Sequence, residues 1–191
     1  MATTITTAEI FARARTIATE MGGDANASPV IDSLAGLRAL LNHCVLEIYR
    51  RKSANPKFLR DITTRTTVTI GSGSATLPAT VMREFLSTAN ITDEDNALVT
   101  YYEYASDYYS TVNFDQLGYA LVVGDLIKYT APAPDLDTYS GSLFITSPCL
   151  PTITTSVTFN TQEVADDVIL LLAKAIRGEI SFENIDMKAA A

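Results

Sequence analysis

The spacing of apolar residues changes twice along this chain of 191 residues. Near both ends, apolar residues recur at steps of three and four, which is typical of amphipathic helices. Between these segments the sequence is rich in Thr and Tyr, and apolar and polar residues roughly alternate, as in half-buried strands. This order predicts an α+β fold with an N-terminal helical hairpin, a small antiparallel sheet or sandwich, a C-terminal helix packing back on the hairpin, and an extended tail.

Two helices are predicted in the first part of the chain. Thr6-Thr7-Ala8-Glu9 has the form of a capping box, and Gly22-Gly23 ends the helix that follows it. Ser28-Pro29 begins a second helix that runs to about Lys52, because Pro is favoured at the first helical position. We expect these helices to pair as an antiparallel hairpin over residues 1–56.

Residues 57–159 form the predicted β-rich region. Thr64–Ile70 alternates β-branched apolar and polar residues, and Gly71–Ser74 is typical of a hairpin turn into a second strand, Ala75–Leu77. Further predicted strands are Val99–Tyr104, Tyr119–Val123, Leu126–Thr130 and Leu143–Thr146. Short strands at this spacing indicate a small antiparallel sheet or sandwich.

Residues 160–178 are predicted to form the last helix, which completes a helical bundle. Its apolar residues cover about 200° of the circumference, whereas a surface helix needs a stripe of only ~100°. Such a helix is either central in its own fold or packed on two sides, one of them another subunit. As candidate subunit-interface residues we take Ile169, Leu170 and Ala173, together with Arg38 at the edge of the apolar stripe of the second helix. Arg38 either meets a partner carboxylate or covers core with its aliphatic stem.

The segment after the last helix, residues 179–191, is called the C-terminal arm. Its apolar residues are sparse: Ile180, Phe182, Ile185 and Met187. This composition suits a segment that becomes ordered on binding, with Ile180, Phe182, Ile185 and Met187 as its anchors. A frayed terminus is the alternative interpretation.

Negative charge is concentrated in the second part of the chain. Residues 1–84 carry a net charge of +3 and residues 85–191 carry −11, which together give −8. An acidic chain is a poor candidate for wrapping nucleic acid, since phosphate binding needs a basic surface. Asp93-Glu94-Asp95-Asn96 looks like a calcium loop but lacks the glycine and the distal glutamate that such a loop requires. We therefore interpret it as a solvated turn, and take Asp93, Glu94 and Asp95 as candidates for an acidic channel or loop.

The residue types needed for catalysis do not form a recognisable pattern. The single histidine, His43, lies opposite the apolar stripe of the second helix, and a general base needs a positioned partner. Cys44 and Cys149 have neither zinc-site nor CxxC spacing, and no Walker lysine follows Gly71-Ser72-Gly73. No apolar run approaches the ~20 residues that span a bilayer, and no secretory signal precedes the first helix. We expect a protein made in a cytoplasm that is not an enzyme and has no cofactor, no metal and no membrane contact.

The organisation as a whole is similar to that of tailed-bacteriophage head-to-tail adaptors, also called connectors. The features that carry the resemblance are the two N-terminal helices, the Gly/Ser turn followed by Thr76-Leu77-Pro78, the Thr-rich strands, Gly141 with Pro148 and Pro151, and a late helix ending at Gly178. The resemblance implies a structural virion protein of the neck, assembled in the host cytoplasm.

For such a protein, the resemblance implies a homo-oligomeric ring of twelve copies docked beneath the portal, extending the DNA channel. The C-terminal arm would embrace the portal protein, and the other end of the ring would present a platform for a downstream tail or nozzle protein. DNA would pass through without sequence-specific binding, and acidic residues lining the channel would disfavour phosphate contacts.

A β-rich binding module is the alternative function. In that case loops such as Asp93–Asn96 and Pro132–Tyr139 would recognise a protein or carbohydrate ligand.

Overall fold

The computed structural model describes residues 1–22, 34–104, 118–131 and 139–180, and shows a mixed α+β fold that is rich in β-structure. It divides into two compact units. Unit 1 comprises residues 1–61 and 150–191, and unit 2 comprises residues 62–149. The β-rich insertion therefore separates two stretches of sequence that fold together.

Unit 1 is built on helices. The helices among the described residues are α1 (Thr7–Glu20), α2 (Leu34–Lys52), α3 (Pro56–Ile62) and α4 (Gln162–Ile176). The main helix–helix contacts run from α4 to α1 and from α4 to α2. The predicted pairing of the first two helices as a hairpin is therefore not confirmed. Instead, the helix from the end of the sequence is the common partner of both.

Local sequence explains where α1 and α4 begin. The Thr6 hydroxyl accepts the backbone N–H of Glu9 at 3.2 Å, and the Thr161 hydroxyl accepts that of Val164 at 3.3 Å. Each threonine satisfies one of the N–H groups that a helix start leaves without an internal partner. The Thr6 cap confirms the predicted start of α1, and α4 begins two residues after the predicted start at residue 160. The predicted start of α2 at Ser28-Pro29 lies outside the described residues.

A two-stranded ribbon, which the sequence did not predict, precedes these two helices. Strand β1 (Thr3–Thr6) pairs antiparallel with β9 (Ser156–Phe159), in the register Ile5 to Val157. The side chains of Ile5, Val157 and Phe159 are buried. Because β1 leads directly into α1, and β9 is followed closely by α4, this ribbon brings the starts of the two helices into one unit.

Unit 2 contains two sheets. The first has the order β2-β8-β4, with β2 (Thr63–Ile70), β8 (Gly141–Pro148) and β4 (Ile91–Thr92). The second has the order β3-β7-β6-β5, with β3 (Ser74–Thr76), β7 (Leu126–Thr130), β6 (Tyr119–Val123) and β5 (Thr100–Tyr102). The described pairs are antiparallel except β5 with β6, which is parallel. Short 3-10 turns cover Arg83–Phe85 and Thr88–Asn90.

The hairpin turn predicted at Gly71–Ser74 is present and is closed by an antiparallel bridge between Gly71 and Ser74, but the two strands do not continue as a pair. Ser72 and Gly73 both have positive φ, 49° and 73°, as a tight hairpin turn requires. Yet β2 pairs with β8 and β3 pairs with β7, so the two strands enter different sheets. β2 pairs with β8 over eight positions and β3 pairs with β7 over three, and both β2 and β3 lie at an edge of their sheet.

Alternation along the strands places one face of each sheet in a common core. Val68, Ile70, Leu143 and Ile145 contribute from the first sheet, and Ala120, Ile127 and Tyr129 from the second. Residues of β6 on the opposite face, Tyr119 and Leu121, form a separate small cluster with Tyr102. The sandwich-like interior thus follows from period-two patterning.

No helix among the described residues is long and apolar enough to cross a bilayer.

Candidate functional site

An apolar groove lies between α1 and α4 in unit 1. Its volume is about 450 Å³, and its lining residues are Ala12, Arg13, Thr16, Ile17, Asp166 and Ile169. On α1 these residues are spaced by one, three and four positions, so they share one side of the helix. The apolar side chains in its lining are those of Ala12, Ile17 and Ile169. We call this the α1–α4 groove.

Leu170 adds an exposed apolar side chain next to this groove. Its side chain is 41% exposed, whereas its neighbours Ile169 and Leu171 are 3% and 6% exposed. Leu170 follows Asp166 by four residues, which places both on the same side of α4. An exposed leucine beside an open groove extends the apolar surface that α4 presents to solvent.

The candidate interface residues do not all lie at this surface. Ala173 is fully buried inside unit 1, and Ile169 reaches the groove only as part of its floor. Arg38 is exposed on α2 and does not line the groove. Of the four, Leu170 is the one with an exposed apolar side chain.

Polar side chains border the groove on both helices. Arg13 forms an ion pair with Glu9 one turn earlier on α1, and Gln162 donates a hydrogen bond to Asp166 on α4 at 2.7 Å. One cation and one anion therefore stand on opposite sides of an apolar floor. Such a site suits a peptide segment with apolar anchors and flanking charges.

A lysine connects α2 to the first turns of α4. Lys52 Nζ lies 2.7 Å from both Glu163 Oε1 and Asp167 Oδ2. Hydrogen bonds to Asp167 and then to Glu163 raise the pKa of Lys52. The Glu163 carboxylate, in the first turn, also suits the positive end of the α4 dipole. We call these three residues the Lys52 cluster.

The Lys52 cluster borders an open cleft of about 610 Å³, formed by the end of α2, α3 and the start of α4. Because the Lys52 ammonium already bridges two carboxylates, the cluster links α2 to α4 and serves a structural role. Lys52 and Glu163 are 111 residues apart in sequence, so no local pattern signals the pair.

The acidic turn Asp93–Asn96 is held by its own hydrogen bonds. Asp93 Oδ1 accepts the backbone N–H groups of Asp95 and Ala97 at 3.0 and 2.9 Å. Glu94 Oε1 accepts the N–H of Ser142 at 2.6 Å, which attaches the turn to β8. Asp95 is exposed. The turn thus brings Asp93, Glu94 and Asp95 together, and two of the three carboxylates serve the local backbone.

Neighbouring side chains also contact the acidic turn, although Glu94, Asp95 and Asn96 are exposed. Arg65 donates to Asn96 Oδ1 at 3.1 Å and lies over the Phe144 ring at 4.1 Å. Burial, followed by the nearby Glu94 and Asp93 carboxylates, raises the pKa of Tyr139. Among the described residues, no group of three or more His, Cys, Asp or Glu side chains is placed to hold a metal ion.

The nucleophilic groups are buried or engaged in local contacts. Burial, followed by the charge of Glu47, raises the pKa of the Cys44 thiol to about 12, so this thiol stays protonated at neutral pH. The partly buried Cys149 Sγ accepts a hydrogen bond from the Thr64 hydroxyl at 3.2 Å. Neither cysteine forms a disulfide. His43 is half-buried on α2.

The structure describes the C-terminal arm only as far as Ile180, which is half-buried. The other candidate arm residues, Phe182, Ile185 and Met187, lie outside the described residues. The same holds for most of the loop Pro132–Tyr139, of which only Tyr139 is described.

Comparison with known proteins supplies no further guide. No protein-family model matches this sequence, and no curated protein matches it either.

Proposed function

We propose that this protein is a structural assembly protein of the head-to-tail adaptor type. In this proposal, twelve copies form a ring that joins a portal protein to a downstream tail or nozzle protein and extends the DNA channel at the virion neck. The observation that carries the proposal is the apolar surface of α4. This helix packs on both α1 and α2, yet still presents Leu170 and an open groove.

The exposed surface of α4 supports an interface because the rest of this helix is densely packed. Nine of its residues are buried, so α4 is the centre of unit 1. A leucine left 41% exposed on such a helix loses hydrophobic stabilisation that a neighbouring copy could restore. An adaptor ring needs a repeated contact of this kind between identical subunits.

The helical arrangement supports the same interpretation. Contacts of α4 with α1 and with α2 are consistent with a late helix that completes an N-terminal helical bundle. The C-terminal arm would then leave from the end of α4 to reach the portal. The net charge of −11 over residues 85–191 would keep DNA from adhering to a channel wall.

In this proposal the protein has no enzymatic activity. The environment of the reactive groups among the described residues supports this. The Cys44 thiol is held protonated by burial, and the Lys52 ammonium is engaged by two carboxylates. These groups stabilise the fold and are not poised for proton transfer.

Electron microscopy of the purified protein mixed with portal rings tests this function. An adaptor decorates the portal stoichiometrically and with rotational symmetry. Deleting residues 181–191 is expected to abolish decoration and leave the melting temperature unchanged. Decoration that persists after this deletion would exclude the C-terminal arm as the anchor, and no decoration by the intact protein would reject the adaptor function.

A β-rich binding module is the second candidate, and one observation in unit 2 favours it. Val123 and Leu126 form a cross-strand pair at the β6–β7 turn, and their side chains are 48% and 46% exposed. Leu98 and Tyr104 are also exposed. A monomer that ignores portal rings but retains a peptide or glycan, and loses it when Val123 and Leu126 are replaced by Ser, would support this function.

A further inference from the structure

The first sheet of unit 2 has a long open edge. Strand β2 lies at this edge and pairs with β8 over eight positions. It contains no proline, and seven of its eight residues are Thr, Val or Ile. A long edge strand is usually protected by charge, proline or a bulge, because its unpaired backbone groups can bind another strand.

The hydrogen-bond ladder shows which backbone groups face the open edge. Successive residues of an antiparallel strand direct these groups alternately toward and away from the partner strand. The N–H of Cys149 donates to Ile62 O at 3.0 Å, so the even-numbered positions of β2 face β8. In agreement, the odd-numbered Gly71 exchanges two hydrogen bonds with Ser74 of β3. Within the described part of the chain, the residues that direct unpartnered N–H and C=O groups to the open edge are Arg65, Thr67 and Thr69.

The one charged side chain of β2 does not protect this edge. Arg65 lies over the Phe144 ring at 4.1 Å and donates to Asn96 Oδ1 at 3.1 Å. Phe144 belongs to β8 and Asn96 follows β4, so the guanidinium extends across the sheet and away from the open edge. Thr67 and Thr69 are exposed and uncharged. The edge is therefore accessible to a further strand.

The other strand edges of unit 2 are short or already have partners. At β4, Ile91 O accepts the N–H of Val99 at 3.0 Å. At β5, the N–H of Tyr101 donates to the Thr88 hydroxyl at 2.9 Å. Strand β3 has only three residues. Among the described strands, β2 is thus the long open edge, and a second copy of the protein offers the same strand as its complement.

We infer that two copies of this protein associate by antiparallel pairing of β2 with β2, about a two-fold axis at Thr67. In this register Thr67 faces Thr67 of the second copy, and Arg65 faces Thr69. The three residues with unpartnered backbone groups then pair with one another, and each facing pair exchanges two hydrogen bonds.

Side chains agree with this register. Opposite β-branched residues stabilise an antiparallel pair, and like charges directly opposite destabilise it. Thr67 meets a threonine, and each Arg65 faces a threonine instead of the other arginine. No charge repulsion therefore opposes the pairing of these three positions.

The contact is separate from the one proposed for ring formation. A two-fold contact uses the same surface on both copies and closes at two, so it does not build a ring. It involves unit 2, whereas the ring contact proposed above involves α4 of unit 1. The inference therefore goes beyond the proposed function and is tested without portal protein.

Cysteine cross-linking of the full-length protein tests the inference. Thr67→Cys and Thr69→Cys are each made in a Cys149→Ser background, and both replace an exposed threonine on the same face of β2. In the proposed register the two Cα atoms of residue 67 lie ~5.5 Å apart, within the ~7 Å that a disulfide spans. Residue 69 faces residue 65, four positions from its own copy, so its two Cα atoms lie more than ~13 Å apart.

The Thr67→Cys protein is expected to form disulfide-linked dimers at least about tenfold faster than the Thr69→Cys protein at equal concentration. Equal rates would overturn the inference, because random collisions oxidise two exposed thiols alike. Faster cross-linking of Thr69→Cys would also overturn it, since the axis would then lie elsewhere on the strand.

A charge swap at the same position provides a second measurement. Thr67→Lys and Thr67→Glu each place two like charges opposite one another, so each variant alone should dimerise at least about fivefold more weakly than wild type in sedimentation velocity. An equimolar mixture places lysine opposite glutamate and should recover the dimer. A mixture that associates no better than either variant, or a wild-type protein that stays monomeric up to about 1 mM, would reject pairing through β2.

Discussion

Replacing Leu170 by Asp distinguishes a role of this side chain in the stability of unit 1 from a role in association between copies. Full burial of a leucine side chain contributes ~1.5–3 kcal/mol. Since Leu170 is 41% exposed, about three-fifths of this is already gained within the chain. We expect Leu170→Asp to lower the free energy of unfolding by roughly 1–2 kcal/mol. Repulsion from Asp166 and Asp167 exceeds the attraction to Lys174 by one pair, ~0.2–0.5 kcal/mol, which stays within this range.

Leu172→Ala is the matched control on the same helix. Leu172 is fully buried, so its truncation removes core contacts and leaves a cavity, at a cost of ~2–5 kcal/mol. At ~2–4 °C per kcal/mol for a protein of this size, melting temperature should fall by about 2–8 °C for Leu170→Asp and by more for Leu172→Ala.

Association should be impaired more by Leu170→Asp than by Leu172→Ala, the opposite of the order for stability. A neighbouring copy that covers Leu170 would have to desolvate the new carboxylate, which costs several kcal/mol when no partner charge is present. Sedimentation velocity with portal rings should therefore show a folded Leu170→Asp protein that no longer assembles. A melting temperature as low as that of Leu172→Ala would place Leu170 in the monomer core. Normal assembly would remove Leu170 from the interface.

Two further predictions concern stability within each unit, and urea unfolding followed by tyrosine fluorescence measures both. Lys52→Met should lower the free energy of unfolding by about 0.5–1.5 kcal/mol, because the Glu163 and Asp167 partners are partly exposed. The pKa of Lys52 is raised from 10.5, so its contribution is complete below pH 10.5 and is lost as the pH rises through the folded-state pKa, where wild type and variant should converge. A difference that persists at that pH would refute the ion-pair account. Gly118→Ala should cost ~1–3 kcal/mol, because the new methyl group would press on the buried Tyr129 ring, whereas Gly71→Ala, with no atom within 4 Å, should change stability by less than ~0.5 kcal/mol. Equal effects of the two alanines would contradict this packing argument.

Local signals in the sequence were reliable where the stabilising contact is itself local. The caps at Thr6 and Thr161 act within three residues, and both helices begin there. Strands β6 and β7 have the predicted bounds, because alternation and the Gly124-Asp125 turn define them within one short stretch. Helix α2 ends at Lys52, as its apolar pattern indicates.

The sequence did not predict which strands pair with one another. The turn at Ser72-Gly73 is present and Gly71 bridges Ser74, but β2 and β3 continue in different sheets, beside β8 and β7, which lie far along the chain. Strand β1 carries no local strand signal, because the four residues Thr3–Thr6 acquire a partner only when β9 lies beside them. The α1–α4 groove likewise needs Ile17 and Ile169 to meet across 152 positions of sequence.

The amino-acid pattern by itself determined the helix starts, the order of helical and extended segments, and the excess of apolar surface on the last helix. Each depends on residues within a few positions of one another, where backbone geometry dictates which side chains are neighbours. Helical periodicity also placed Leu170 apart from this surface, on the polar side with Asp166 and Lys174. Tertiary structure alone decided what covers the apolar arc: α4 packs on α1 and α2, with Ile169 and Ala173 buried and a groove left open beside α1. The reason is physical. Burial depends on the shape and position of the element packed opposite, and a helix sequence carries no information about the width of the space left beside it.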